Sequence, residues 1–302
     1  MSEENMQVQS ALSADDNKYY GMRYDMVFKK AFVENNDLLK RFISDMLDIP
    51  FEDIGEVVVS NPELVPDDVD GKFSRMDIKA HIRNAVVNIE MTISEQKGYI
   101  KRTVYYVAGI YHEQLEKGKS YDTLKMTVSI NVLAYDAFDH GDYHSEFVLY
   151  DKKHKKQLDD ILEIHFFELQ KIMKAPRTKK QKRQNMWLET IAANSEEEMQ
   201  AVCDKYKDNY VAKCAEVVTA MNADTIFRER IRAHEDAVRE RDSMLYDARQ
   251  DGFAEGKAEA LVNIMKNLKY NLIDSMGILN IPKSEYAVYT EIIRKNYPDV
   301  II

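Results

Sequence analysis

Apolar positions follow a helical spacing in the first part of the chain and a strand spacing soon after it. Between residues 22 and 47, apolar side chains recur every three or four positions, which predicts two helices with a break near residues 34–36. The segments 73–83 and 85–93 instead alternate apolar and polar residues, and a period of two predicts strands. A short turn between these strands predicts an antiparallel hairpin.

One face of the predicted hairpin is polar. Asp77 and Lys79 share that face on the first strand, and Glu90 and Thr92 share it on the second. A turn centred between residues 84 and 85 would pair Lys79 with Glu90 and Asp77 with Thr92. The turn lacks the Asn-Gly or Asp-Gly pair that would specify its type, so this register rests on spacing alone.

The rest of the pattern predicts an α/β fold followed by helices. Helical spacing from Gly98 ends at Gly118, which we expect to be the C-terminal cap. Strands predicted before and after this helix would form a sheet with helices around it. Further strands are predicted at 57–60, 125–135, 146–150 and 161–169. The domain prediction is a flexible N-terminal tail at 1–19, a core at 20–171, a basic linker at 172–186 and a helical C-terminal region at 187–302.

Composition narrows the class of protein. With 45% hydrophobic and 31% charged residues, the chain is typical of a folded, helix-rich protein. The sequence has neither the run of about 20 apolar residues that a membrane helix needs nor a basic-then-apolar leader at its start. We therefore expect a cytoplasmic protein without a membrane partner.

A net charge of -10 argues against indiscriminate binding of polyanions, so a nucleic-acid role needs a local basic patch or a metal ion. The segment 171–183 is such a patch, because it contains seven lysines and arginines and no acid. It is either a strip that contacts DNA phosphates or a solvated linker, and we favour DNA contact. The DNA-binding candidates are Lys174, Arg177, Lys179, Lys180, Lys182 and Arg183.

Asp77 and Glu90 are the candidate metal ligands. Mg²⁺ or Mn²⁺ is held by oxygen atoms, often by one or two carboxylates with water and substrate phosphate. The peptide carbonyl of Met91 can add a third oxygen. The alternative is a solvated polar face on which Lys79 and Glu90 form a cross-strand ion pair.

The chain resembles the PD-(D/E)XK nuclease family of recombination-promoting nucleases and putative transposases. The resemblance covers roughly residues 22–171 and, more loosely, the helical tail. It implies a restriction-endonuclease-like core with a mixed sheet flanked by helices, and metal-dependent cleavage of DNA by Asp77 and Glu90. The matching words are Asp25 with FKKAF (28–32), MDIKA (76–80), NIEM (88–91), Arg102 followed by Tyr105 and Tyr106, QLEKGKSYDTL (114–124), INVL (130–133), His144 with EFVLY (146–150), and ELQK (168–171).

The sequence departs from the family at Thr92, where relatives have Gln or Lys. Threonine is short and uncharged, so it cannot act as a cation beside the developing phosphorane. We expect Lys79 to substitute for it from the neighbouring strand. If no group substitutes, the chain is a catalytically impaired nuclease-fold protein that serves as a DNA-binding or protein-interaction module.

Three further residues are candidates for the same site. Asp25 can assist the metal ions, or it is only a helix N-terminal acid that the helix dipole stabilises. Arg102 and Tyr106 lie one helical turn apart, so they can hold a phosphate or support Glu90, or merely pack together.

Other motifs in the sequence give less information about function. The cluster of Asp139, His140, Asp142 and His144 lies around Gly141 without a tight ligand spacing, so we interpret it as a solvated loop. No phosphate-binding GxxxxGK[ST], CxxC or HExxH motif occurs. The charged helical run that begins at Arg228 suits an exposed or self-associating helix, which predicts a possible homo-oligomer through the C-terminal helices.

Overall fold

The computed structural model describes residues 18–60 and 78–301. The chain divides into two compact units between Arg228 and Glu229. The first unit therefore extends beyond the basic segment 172–186, because the helices that follow this segment pack into it.

A mixed sheet lies at the centre of the first unit. Its strands are β1 (Val58–Val59), β2 (Ile78–His81), β3 (Ala85–Thr92), β4 (Met126–Leu133), β5 (His144–Val148) and β8 (Leu162–Glu168), and a separate pair is formed by β6 (Tyr150–Asp151) and β7 (Lys156–Gln157). The sheet order is β1-β2-β3-β4-β8-β5. The strands β3, β4 and β8 are parallel, whereas β1, β2 and β5 join antiparallel.

Helices account for most of the remaining described chain. They are α1 (Asp25–Val33), α2 (Asn36–Leu47), α3 (Phe51–Ile54), α4 (Tyr99–Glu113), α5 (Lys179–Ala192), α6 (Glu196–Tyr206), α7 (Asn209–Ala223), α8 (Thr225–Leu268), α9 (Leu272–Ile278) and α10 (Tyr286–Asn296). Because β3 and β4 are parallel, they need a crossover, and α4 supplies it. The predicted α/β fold with a helical C-terminal region is confirmed.

The hairpin prediction is confirmed, but its register is wrong. The turn consists of Arg83 and Asn84, with the Ile82 amide donating to the Ala85 carbonyl at 3.0 Å. Lys79 consequently pairs with Asn88 rather than with Glu90. The turn is centred one residue earlier than expected, since neither turn residue specifies a turn type from sequence alone.

The predicted end of α4 is also wrong. The helix stops at Glu113, with Gln114 as its cap, rather than continuing to Gly118. The Gln114 side chain donates to the Lys125 carbonyl and to Thr127 Oγ1, at 3.1 and 2.9 Å. These bonds join the end of the helix to the start of β4, while Gly118 takes its positive φ of 84° in the loop that follows.

Aromatic packing joins α5 to the N-terminal helices. Trp187 is fully buried, and its ring lies 5.5 Å from Phe42 and 6.0 Å from Phe32. Its indole N–H donates to the Asp45 carboxylate at 2.9 Å. The helix begins at Lys179 under a capping box made by Thr178 with Gln181, so part of the expected basic linker is helical.

The second unit has its own apolar core. Buried residues of α8 pack with buried residues of α9 and α10. This packing explains why the C-terminal helices form a compact unit. The core residues are Ala258, Leu261, Val262, Leu272, Met276, Ile281, Tyr289 and Ile293.

Candidate active site

Glu90 is a buried acid in the middle of the sheet. It lies on β3 between β2 and β4, where every side chain of the strand is buried. Its Oε1 accepts a hydrogen bond from Arg102 Nη2 at 2.6 Å. A buried carboxylate is costly unless it is paired, and Arg102 of α4 supplies a cationic partner for Glu90.

Gln96 and Tyr99 hold the guanidinium of Arg102 in place. Gln96 Oε1 accepts from Arg102 Nη1 at 2.6 Å, and the guanidinium lies 5.0 Å from the centre of the Tyr99 ring. The position of Arg102 on the helix after the hairpin predicts that it could support Glu90, and the two side chains are in contact. Gln96 was not a sequence candidate, because its only signal is its closeness in sequence to Arg102.

Asp25 adds a second carboxylate to the same site. Burial, and then the charge of Glu90, raises the pKa of Asp25 to about 7. Its buried Oδ1 has no hydrogen-bond partner among the described residues. Asp25 therefore interacts electrostatically with Glu90 and has an unsatisfied oxygen, and its assistance to a metal ion stays a prediction.

Asp77 lies outside the described residues. It directly precedes Ile78 in the sequence, and Ile78 pairs with Ile89, the residue before Glu90. The assignment of Asp77 as a metal ligand stays a prediction.

Thr92 belongs to a buried polar network. Its Oγ1 donates to Tyr99 Oη at 3.2 Å, and Tyr99 Oη donates to Asn131 Oδ1 at 3.3 Å. Burial, and then Glu90, raises the pKa of Tyr99 above its usual range. Thr92 is thus hydrogen-bonded within a network of neutral side chains, and neither it nor its partners places a positive charge beside Glu90.

Lys79 pairs with the end of α4. Its Nζ lies 2.9 Å from Glu113 Oε2, and Glu113 is well exposed. The side chains of Lys79 and Glu90 leave the same face of the hairpin, but the corrected register does not place them opposite one another. Substitution of Lys79 for the missing Gln or Lys stays a prediction.

Met91 and Tyr106 are nearby candidates. The Thr92 carbonyl accepts from the Ala134 amide at 2.9 Å, and carbonyl directions alternate along a strand, so the Met91 carbonyl points towards the β2 side of β3. Tyr106 packs against Tyr105 with ring centres 5.6 Å apart. Both roles stay predictions.

The residues present fit a divalent cation. Mg²⁺ and Mn²⁺ take hard oxygen ligands, and the site offers carboxylates from Glu90 and Asp25. The unsatisfied buried oxygen of Asp25 is the kind of atom that an ion would satisfy. The negative charges of Glu90 and Asp25 repel one another, which raises the pKa of Asp25, and a cation between them would relieve this repulsion.

The predicted DNA-binding residues differ in their exposure and contacts. Lys174, Arg177, Lys179 and Lys182 are exposed. Arg183 is instead tied to the fold, since its Nε lies 3.0 Å from Asp45 Oδ1 and its Nη2 pairs with Asp48. Lys180 is half-buried near His144.

His140 and His144, which are close in sequence, contact different residues in the structure. His140 contacts Ser145 Oγ at 3.0 Å, whereas His144 lies 3.0 Å from His165 of β8. His165 is distant in sequence, so no local spacing could have identified this pair.

Fold and site together define an α/β protein with a candidate metal centre on a mixed sheet. The family described as PD-(D/E)XK nuclease family transposase matches residues 22–248, and the chain belongs to that family. No curated protein and no solved structure matches the chain. The described part of the chain also contains no helix with the length and apolar composition needed to span a bilayer.

Proposed function

We propose that this protein is a metal-dependent DNA endonuclease that hydrolyses phosphodiester bonds in recombination or transposition. The observation that carries the proposal is the buried Glu90 with the unsatisfied carboxylate of Asp25 beside it. Membership of a nuclease family supports DNA as the substrate.

Asp77, Glu90 and the Met91 carbonyl would hold Mg²⁺ or Mn²⁺, with Asp25 assisting. When bound, the ion supplies a Lewis acid that polarises a phosphate oxygen and lowers the pKa of water. Burial and the charge of Glu90 raise the pKa of Asp25 to about 7 without metal, and a bound cation would favour its ionised form.

Arg102 and Lys79 are the basic residues of this mechanism. Arg102 orients the Glu90 carboxylate and places a positive charge on the same face of the sheet. Lys79 can approach a substrate phosphate when its exposed partner Glu113 releases it. The exposed Lys174, Arg177, Lys179 and Lys182 would contact the DNA backbone, where each neutralised phosphate contributes to salt-dependent affinity.

The second candidate function is a DNA-binding or protein-interaction module that does not cleave. Thr92 favours it, because the residue that relatives use beside the second acid is replaced by one engaged with Tyr99. In that case the fold and the basic segment 171–183 would still bind DNA or a protein partner, but the protein would not hydrolyse DNA.

Cleavage assays with purified full-length protein separate the two functions. We expect plasmid DNA to be cut only when Mg²⁺ or Mn²⁺ is added. Loss of a ligand removes several kcal/mol of Lewis-acid stabilisation, so Glu90→Gln and Asp77→Asn should cut at least about a hundredfold more slowly. The exposed Glu116→Gln is the matched control and should cut normally.

DNA binding measured in parallel decides between the outcomes. Salt-sensitive binding without cleavage in the wild type supports the non-cleaving module. Equal cleavage by wild type and Glu90→Gln would overturn the assignment of the site.

We also propose that the C-terminal helices support a homo-oligomer. Met244, Leu245, Tyr246 and Phe253 are exposed apolar residues of α8. Light scattering of the full chain should show a smaller particle for Leu245→Glu than for wild type. An unchanged mass would argue against assembly through this helix.

A further inference from the structure

A second cluster of metal-ligating side chains lies on β5 and β8. His144, Glu146 and His165 each place one ligand atom within 4.8 Å of the other two. Glu146 and His165 are register partners, and His144 lies diagonally across from His165 on the same face. Two imidazoles and one carboxylate are a ligand set for ions such as Zn²⁺.

The two imidazoles face one another through ring nitrogens. His144 Nε2 and His165 Nδ1 are 3.0 Å apart, which is the distance of a shared proton. Two nitrogens bound to one tetrahedral Zn²⁺ lie about 3.3 Å apart, from Zn–N distances of about 2.0–2.1 Å. An ion can therefore replace the proton if the two ring nitrogens move apart by a few tenths of an ångström and the rings rotate.

The surroundings of the pair hold the two imidazole rings in a fixed orientation. Phe167 lies flat against the His144 ring at 4.3 Å. Glu163 Oε2 lies 3.4 Å from His165 Nε2, and an outer carboxylate of this kind fixes the tautomer of a ligating histidine.

This cluster is independent of the candidate active site. Glu90, Asn131, Phe166 and Ser145 are successive register partners, so their side chains share one face of the sheet. His165 lies next to Phe166 along β8 and therefore points to the opposite face. An ion bound there would not share ligands with Glu90.

We propose that His144, Glu146 and His165 form a binding site for a single transition metal ion such as Zn²⁺. His165 is buried, His144 is half-buried and Glu146 is exposed, so the fourth ligand position opens to solvent. The ion would clamp edge strand β5 to β8.

Cobalt binding tests the proposal, because Co²⁺ bound to imidazole absorbs visible light and Zn²⁺ displaces it. We expect wild type and Glu90→Gln to bind one such equivalent, and Zn²⁺ to raise the unfolding temperature of both. His144→Asn and Glu146→Gln should weaken binding at least about tenfold. Glu146 is exposed, so its substitution tests the site without disturbing the core.

His154→Asn is the matched control, since His154 is exposed and pairs with Asp151 outside the cluster. It should bind Co²⁺ like the wild type. Absence of the absorbing species in wild type, its loss in Glu90→Gln, or equal affinity in Glu146→Gln and His154→Asn would overturn the proposal. The two imidazoles would then share only a proton.

Discussion

Substitution of Asp25 by asparagine should make the metal-free protein more stable at pH 8 and leave it unchanged near pH 4. Burial, and then the charge of Glu90, raises the pKa of Asp25 from 3.8 to about 7 in the folded state. The folded state therefore holds the proton more tightly than the unfolded chain does. Stability is retained below about pH 4 and falls as pH rises towards 7, because ionisation is then more costly in the folded protein.

The magnitude follows from the size of the shift. One pKa unit corresponds to about 1.4 kcal/mol, so a shift from 3.8 to about 7 corresponds to roughly 4 kcal/mol at full ionisation. Solvent screens part of this, since Asp25 is partly exposed. We expect Asp25→Asn to gain about 2 to 4 kcal/mol at pH 8.

Urea unfolding in EDTA between pH 4.5 and 8 measures the difference between wild type and variant. Added Mn²⁺ should then stabilise wild type more than Asp25→Asn at pH 8. Asp37→Asn is the control, because its pKa is lowered by the hydrogen bond from Lys213 and its removal cannot stabilise the protein at pH 8. A constant difference between Asp25→Asn and wild type across the pH range would refute the reasoning.

Other predictions concern the surrounding contacts. Arg102→Gln removes the guanidinium that binds Glu90 and should cost about 3 kcal/mol in urea unfolding, most of which the double variant with Glu90→Gln should recover; additive losses would contradict this pairing. Lys79→Ala should abolish cleavage while Glu113→Gln preserves it, and normal cleavage by Lys79→Ala would exclude its substitution for the missing cation. Trp187→Phe should cost about 2 to 3 kcal/mol through lost volume and the lost bond to Asp45, with an unchanged urea m-value; a cost below about 0.5 kcal/mol would contradict its place in the core.

Local patterns were enough to identify the elements around the site. Alternation along residues 78–92 predicted the β2–β3 hairpin because side chains of a strand alternate between faces whatever surrounds them. Helical spacing placed Arg102 on the helix after the hairpin, and the structure joins it to Glu90. The family resemblance, carried by short words in order, is confirmed over residues 22–248.

Register was harder to predict than the hairpin itself. A shift in the turn by one residue moves every cross-strand pair, and Arg83 with Asn84 does not determine where the turn lies. Spacing alone therefore pairs Lys79 with Glu90, whereas its strand partner in the sheet is Asn88. Only backbone pairing, which depends on the whole sheet, decided this point.

By itself, the sequence determined the α/β order of the main elements and the position of Glu90 on the second strand of the hairpin, because each follows from neighbours a few residues away. Tertiary structure alone decided that Asp25 lies within the field of Glu90, that Trp187 packs beside Phe42, and that His144 meets His165. These contacts join residues far apart in the chain, and their geometry depends on how helices and strands pack. Burial also raises the pKa of Asp25 to about 7, and burial is a property of the packed fold rather than of any local pattern.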